Sequence, residues 1–173
     1  MGGVVGLIVA NVAYADPGPR IADLTMREQG GGVEVSFHVL NAFTDEVRKR
    51  IESGIPVSFT HHIQAINPRW WWWNRKVVAR AVVTTVRFDP LTHQYHLTRE
   101  QDERTVDEWS TDEFQEVTLW MTRLENVQLE IPPEERGRIT HIRVRTEILG
   151  RRLLHVLPWP IETPWAQIRL SKP

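Results

Sequence analysis

Apolar and polar residues alternate along much of this chain. Val33, Val35, Phe37 and Val39 are separated by Glu34, Ser36 and His38. That is the period of a strand with one buried and one wet face. Val57, Phe59, His61, Ile63 and Ala65 share one face of a strand over Pro56–Ile66. Lys76–Phe88 continues as a long strand, so the two make a hairpin whose connection starts near Pro68. Ile21–Arg27 reads as a first strand, and Gly30–Gly32 as a loose turn. Asp89–Thr92 is a tight turn that Pro90 presets, followed by a strand from Gln94. In Arg138–Leu149, Ile142, Val144 and Ile148 point inward, and His141, Arg143 and Arg145 outward.

Two stretches have helical spacing. Thr44 caps a helix whose first turn holds Asp45 and Glu46, and Gly54 stops it. Val47 and Ile51 share its inner face. The acidic stretch Arg99–Phe114 reads as loop and then helix, with a capping box from Ser110 to Glu113. Phe114, Val117, Met121 and Leu124 form the apolar stripe of that second helix. A short strand at Val127 ends at Pro132 and Pro133. The tail carries Pro158, Pro160 and Pro164, so it is extended, at a sheet edge or draped over a surface. About seven or eight strands joined by short turns imply antiparallel pairing. The predicted fold class is mainly β (α+β), an antiparallel sandwich or strongly curved sheet with two short helices packed on it.

Composition narrows the function. The chain has 173 residues, 41% apolar and 25% charged, with a formal net charge of −1. A nucleic-acid binder would carry a basic stripe, so none is expected as a partner. Cysteine is absent, which removes thiol nucleophiles, disulfides and thiolate metal sites. The apolar run Val4–Val12 ends in Ala13-Tyr14-Ala15 before Asp16 and Pro17. Residues 1–15 therefore read as a signal peptide, and 16–173 as a single β-rich domain. No Lys or Arg precedes the run, and the competing reading is a buried N-terminal strand. The expected location is outside the inner membrane, in the periplasm of a Gram-negative-type cell.

The stretch from Pro68 to Thr98 resembles a bacterial envelope family, the domain-of-unknown-function 4390 family. Its Pro-Arg-Trp-x-Trp run corresponds to Pro68, Arg69, Trp70 and Trp72. Its aromatic-x-x-Leu-Thr stretch corresponds to Phe88, Leu91, Thr92, Tyr95 and Leu97. Ala42–Phe59 is similar to the family's helix and the strand entry after it. The resemblance covers about Ile21 to Arg145, and the tail less clearly. It implies export, and brings no activity and no catalytic residue.

Candidate chemistry is sparse. The 7 histidines include His93 and His96, three apart on a turn entering a strand, and the adjacent pair His61–His62. Both pairs point to opposite faces, so a zinc site would need His61 brought to His96 or to a carboxylate. Asp102–Glu103 and Asp107–Glu108 read as solvated. No metal, cofactor or catalytic residue is expected, and the chain is read as a non-enzyme. The unusual feature is Trp70–Trp73, flanked by Arg69, Arg75 and Lys76. On an extended backbone Trp70 and Trp72 face one way, and Trp71 and Trp73 the other. Each buried ring removes about 200 Å² from water, worth several kcal/mol at about 25 cal/mol/Å². The rings either pack inside, under a tail carrying Trp159 and Trp165, or enter a lipid headgroup layer, or bind a protein or glycan. The expected function is a non-enzymatic envelope module docking on a membrane surface or envelope protein through this hairpin end. The rivals are a periplasmic carrier of an apolar small molecule, and a hydrolase.

Overall fold

The computed structural model describes residues 18–68, 74–135, 138–148 and 161–169. The leader at 1–15, Arg69 and Trp70–Trp73, and Trp159 lie outside them. The first hairpin is β1 (Arg20–Gln29) and β2 (Gly32–Leu40), joined through Gly30 and Gly31 at φ 59° and 86°. Two consecutive positive φ values match the twist of a tight hairpin, and glycine adopts them without Cβ strain. Helix α1 (Asp45–Glu52) follows, with the Thr44 hydroxyl accepting from Val47 N at 3.3 Å. Then come β3 (Val57–Pro68), β4 (Asn74–Asp89), β5 (Gln94–Gln101) and β6 (Arg104–Thr111). Helix α2 (Phe114–Thr122), β7 (Arg123–Glu130), a 3-10 turn at Pro133–Glu135 and β8 (His141–Ile148) complete the main body. The tail adds β9 (Ile161–Glu162) and β10 (Ala166–Arg169) along β8, the edge position its prolines predict.

The strands form two antiparallel sheets that do not close into a barrel. One has three strands in the order β1-β2-β7. The other has seven, in the order β10-β8-β3-β4-β5-β6, with β9 also on β8. The inner faces are the alternating residues the sequence marks. Val33, Val35, Phe37 and Val39 of β2 meet Phe59, Ile63 and Ala65 of β3 and Ile142, Val144 and Ile148 of β8 in one core. Val47 and Ile51 fasten α1 to it, and Val117 and Met121 fasten α2. At the α1 end, Phe43 packs on Phe59 and Phe114, and Tyr95 on Phe114 and Phe88, with ring centroids 4.8–5.7 Å apart.

The acidic stretch departs from expectation. It is a β-hairpin, with β5 running on to Gln101 and β6 returning from Arg104. Asp102 and Glu103 make the turn at φ 51° and 63°. Every β6 side chain from Arg104 to Ser110 is exposed, so the strand has no apolar face to announce it. The predicted capping box also differs. Ser110 Oγ pairs with His96, while the Thr111 hydroxyl accepts from Glu113 N at 3.1 Å and donates to the Glu116 carboxylate at 2.5 Å. Leu124 is buried as expected, but it belongs to β7, because the helix stops at Thr122.

Gly32 is the tightest backbone approach described. A Cβ there would sit 2.5 Å from the Leu129 carbonyl oxygen on β7. Gly32→Ala is expected to lower stability by about 1–3 kcal/mol, because a backbone atom must move. Gly18→Ala, with nothing within 4 Å, should change it by less than about 0.5 kcal/mol. Urea unfolding midpoints of the two variants check the difference.

Candidate docking surface

The β3–β4 hairpin carries the residues the sequence singles out. Its ladder runs from Val57↔Val86 to Pro68↔Asn74, so residues 69–73 are all that joins the two strands. Arg69 and Trp70–Trp73 therefore form the connection by sequence. Arg75 pairs by backbone with Asn67, and Lys76 is exposed on β4. A bulge between Ala65 and Ile66 leaves Val77 as the extra residue on β4. It puts Ile66 opposite Lys76.

Register continues this level across the sheet. Arg169 of β10 lies opposite His141 of β8, His141 opposite Ile66, and Ile66 opposite Lys76. Directly paired residues share a face. Ile142 and Ile168 point into the core, so Arg169 and His141 look outward. Two of the four residues in this row are cations and a third is a histidine, with the pairs Asn67↔Arg75 and Pro68↔Asn74 between the row and the tryptophan connection. Arg169 and Lys76 are exposed.

Farther from the connection, the outer face carries a knot of cations around an indole. Arg143 grips Gln64 Oε1 through Nε and Nη2, at 2.9 and 2.7 Å. The guanidinium carbons of Arg143 and Arg145 stand 4.4 and 4.8 Å from the Trp165 ring centroid. Arg145 also pairs with Glu162 at 3.0 Å, and His62 stands 3.6 Å from Glu147. Trp165, expected as a cover for the other indoles, thus stacks on two arginines of β8. Sequence reasoning saw Arg143 and Arg145 on one face but not their ring. The signal lay in the tail, where the extended register Ala166↔Val144 puts Trp165 beside Arg145.

The histidines fall apart as the strand period requires. His61 is fully enclosed in the core, while His62 is on the outer face. His96 faces outward on Ser110 Oγ at 2.9 Å, and His93 sits in the β4–β5 turn against Phe88. His61 and His96 therefore occupy opposite sides of the sheet. Asp102, Glu103, Asp107 and Glu108 are exposed. Among the described residues, no three histidines or carboxylates come together as a metal set.

His61 is the core's principal polar feature. Nδ1 lies 2.9 Å from Thr146 Oγ1 on β8, and Nε2 lies 3.3 Å from Thr84 Oγ1 on β4. Thr84 in turn donates to the Met121 carbonyl of α2. Hence Nε2 carries the proton toward Thr84, and Nδ1 accepts from Thr146. The edges of Phe37 and Phe59 close around the ring. Burial, and then the nearby Arg99 charge, push its pKa down to about 3.

Two antiparallel sheets packed over one core define a mainly-β domain with two short helices. The chain belongs to the family described as Domain of unknown function (DUF4390), whose model matches residues 16–168. The match runs through most of β10, well past Arg145, where the sequence resemblance was clear. No curated protein and no solved structure matches the chain.

The His61 environment sets a pH dependence. Between the ordinary pKa of 6.5 and the folded value of about 3, the unfolded chain takes up a proton that the folded chain refuses. Its contribution is complete above pH 6.5, and stability falls by up to about 1.4 kcal/mol per pH unit as pH drops through that window. His61→Gln is expected to be less stable at pH 7 and to lose less between pH 6.5 and 4.5. Urea midpoints at the two pH values measure this, and equal slopes for both proteins would refute it.

Proposed function

We propose that this protein is an exported, non-enzymatic module of a Gram-negative-type envelope, which docks on an anionic membrane surface through the β3–β4 hairpin end. The observation that carries the reading is the row Arg169–His141–Ile66–Lys76, lying across four strands, with two ladder pairs between it and the tryptophan connection. Indoles favour the headgroup layer, and cations beside them are drawn to anionic lipid. The apolar leader supports export.

The interior supports docking over carrying. The strand faces a carrier would use as pocket lining are packed on one another, and Val35, Phe59, Ile63 and Val144 have no exposed surface. The enclosed His61 supports a non-enzymatic role, since it is sealed from any substrate and faces only hydroxyls and rings.

Vesicles of phosphatidylglycerol in phosphatidylcholine test the reading. Tryptophan emission should shift to the blue on adding them, and Trp71→Ala/Trp73→Ala should abolish the shift. Lys76→Glu and Arg169→Glu should each weaken binding by about fivefold or more, at about 1 kcal/mol per cation near the surface. Added salt should weaken it further. An emission spectrum indifferent to these vesicles counts against membrane docking, and binding that is lost in none of the variants moves it away from this end.

A further inference from the structure

Strand β4 is paired with β3 along its whole length but with β5 only from Val82 to Asp89. Among the described residues, its first half, residues 74–81, therefore carries a ladder on one side only. Strand β5 leaves it because Asp102 and Glu103 turn the chain back at φ 51° and 63°. A groove of about 420 Å³ lies along the open edge, lined by Ala79, Arg80 and Ala81 of β4, with His62 and Gln64 on the β3 side. An unpaired strand edge presents N–H and C=O groups to any extended chain that reaches it. Ala79 and Ala81 are small, so they leave room for side chains opposite them.

The two ends of this edge differ in charge and in shape. At one end the β5–β6 turn stands across the line of β5, with Glu100, Asp102 and Glu103 around it. Asp102 is engaged by Arg80 at 3.4 Å. Glu100 and Glu103 take part in none of the ion pairs among the described residues, and neither does Lys76 at the hairpin end. From Ala81 to Lys76 is five residues of β4, at most about 17 Å at roughly 3.4 Å per residue. An occupant that meets both ends is therefore a chain of about five extended residues.

We propose that the open edge of β4 binds the free amino-terminal segment of a partner polypeptide as an added antiparallel strand. The ends fix its direction. A chain antiparallel to β4 runs the same way as β5 and takes up its line where β5 departs. The β5–β6 turn blocks any residue before the first, so the added chain begins there, opposite Ala81. Its α-ammonium then falls beside Glu100, Asp102 and Glu103, and donates N–H bonds to carboxylates. Its fifth residue falls at the Val77 bulge, next to Lys76, where an acidic side chain completes a second pair. The reverse direction would bring a terminal carboxylate against the acidic turn. Main-chain pairing along residues 78–81 supplies attraction that is blind to sequence, and the two charged ends supply the choice. The inference stands apart from the membrane-docking reading, and its test contains no lipid.

The test presents the immobilised full chain with two pools of synthetic pentapeptide amides. Both pools vary at the first four positions and end in glutamate, and one has a free amino terminus where the other is acetylated. The free-amine pool should be retained about threefold more strongly, the scale of exposed ion pairing. Glu100→Gln/Glu103→Gln should bring the ratio between the pools to about one, with a far-ultraviolet circular dichroism spectrum and thermal midpoint like the parent's. Lys76→Glu should reverse the preference for glutamate over lysine at the fifth position. Strand addition is read on a retained peptide methylated in turn at its second and third backbone nitrogens. Only alternate N–H groups of an added antiparallel strand face its neighbour, so one methylation should abolish binding and the other leave it. Equal retention of both pools, or of neither, overturns the proposal. So do a free-amine preference that survives in the double variant, a fifth-position preference unchanged by Lys76→Glu, and two methylations of equal effect.

Discussion

His61 lies directly opposite Thr146 because β3 and β8 pair in one register, and two positions along β4 the same register brings Thr84 to its other nitrogen. A shift of β3 by one residue would exchange its faces. Ile63 would then face water, and His62, now beside Glu147, would enter the core. The imidazole would lose both hydroxyls, leaving a buried ring with unmet polar atoms. Apolar packing fixes which face is inside, and the Thr146–His61–Thr84 chain fixes the register along it. The position of Lys76 beside Ile66, and of His141 beside both, descends from that register.

Elements with one buried face were plain in the sequence. The period of β2, β3 and β8 named their core residues, and Thr44 with Gly54 bounded α1. β6 was hidden for a physical reason. As the last strand of the large sheet it is held by backbone pairing to β5, and its side chains from Arg104 to Ser110 meet water on both faces. Asp and Glu are poor strand formers, and the turn before β6 has no glycine to mark it, although Asp102 and Glu103 take left-handed φ. Of the docking surface, Lys76 and the tryptophans were legible because they are contiguous. Arg169, His141 and the Trp165 stack come from strands far apart in the chain, and only pairing registers bring them to one face.

An antiparallel sheet packed on one side commonly leaves its other side to solvent. Along β8 that outer side runs from cations to a carboxylate. Arg169, His141 and Lys76 occupy a level two ladder pairs from the hairpin connection, Arg143 the next outward-facing level away from it, and Arg145 with His62 the one after. Glu147, paired with Glu162 across the edge, comes beyond them. The chain's net charge of −1 conceals this arrangement, because it averages over both ends. A nearly neutral protein with sorted charge has little attraction to an anionic surface as a whole, yet it has a preferred way to face one.

The separation of the two charge groups decides whether that preference acts. From His141 to Glu147 is six residues of β8, about 20 Å at roughly 3.4 Å per residue. The Debye length at physiological salt is about 8 Å. With the hairpin end at a surface, the first row of cations lies within about one screening length. The carboxylates of Glu147 and Glu162 lie more than two lengths away. The surface therefore attracts the near row with little opposition from the far one. In the proposed docking, charge would set the approach at long range, and the indoles at 70–73, which gain only on entering a headgroup layer, would act after it. Under the docking proposed here the two signals are sequential, which is why an overall charge near zero and a strongly basic hairpin end are compatible in one chain.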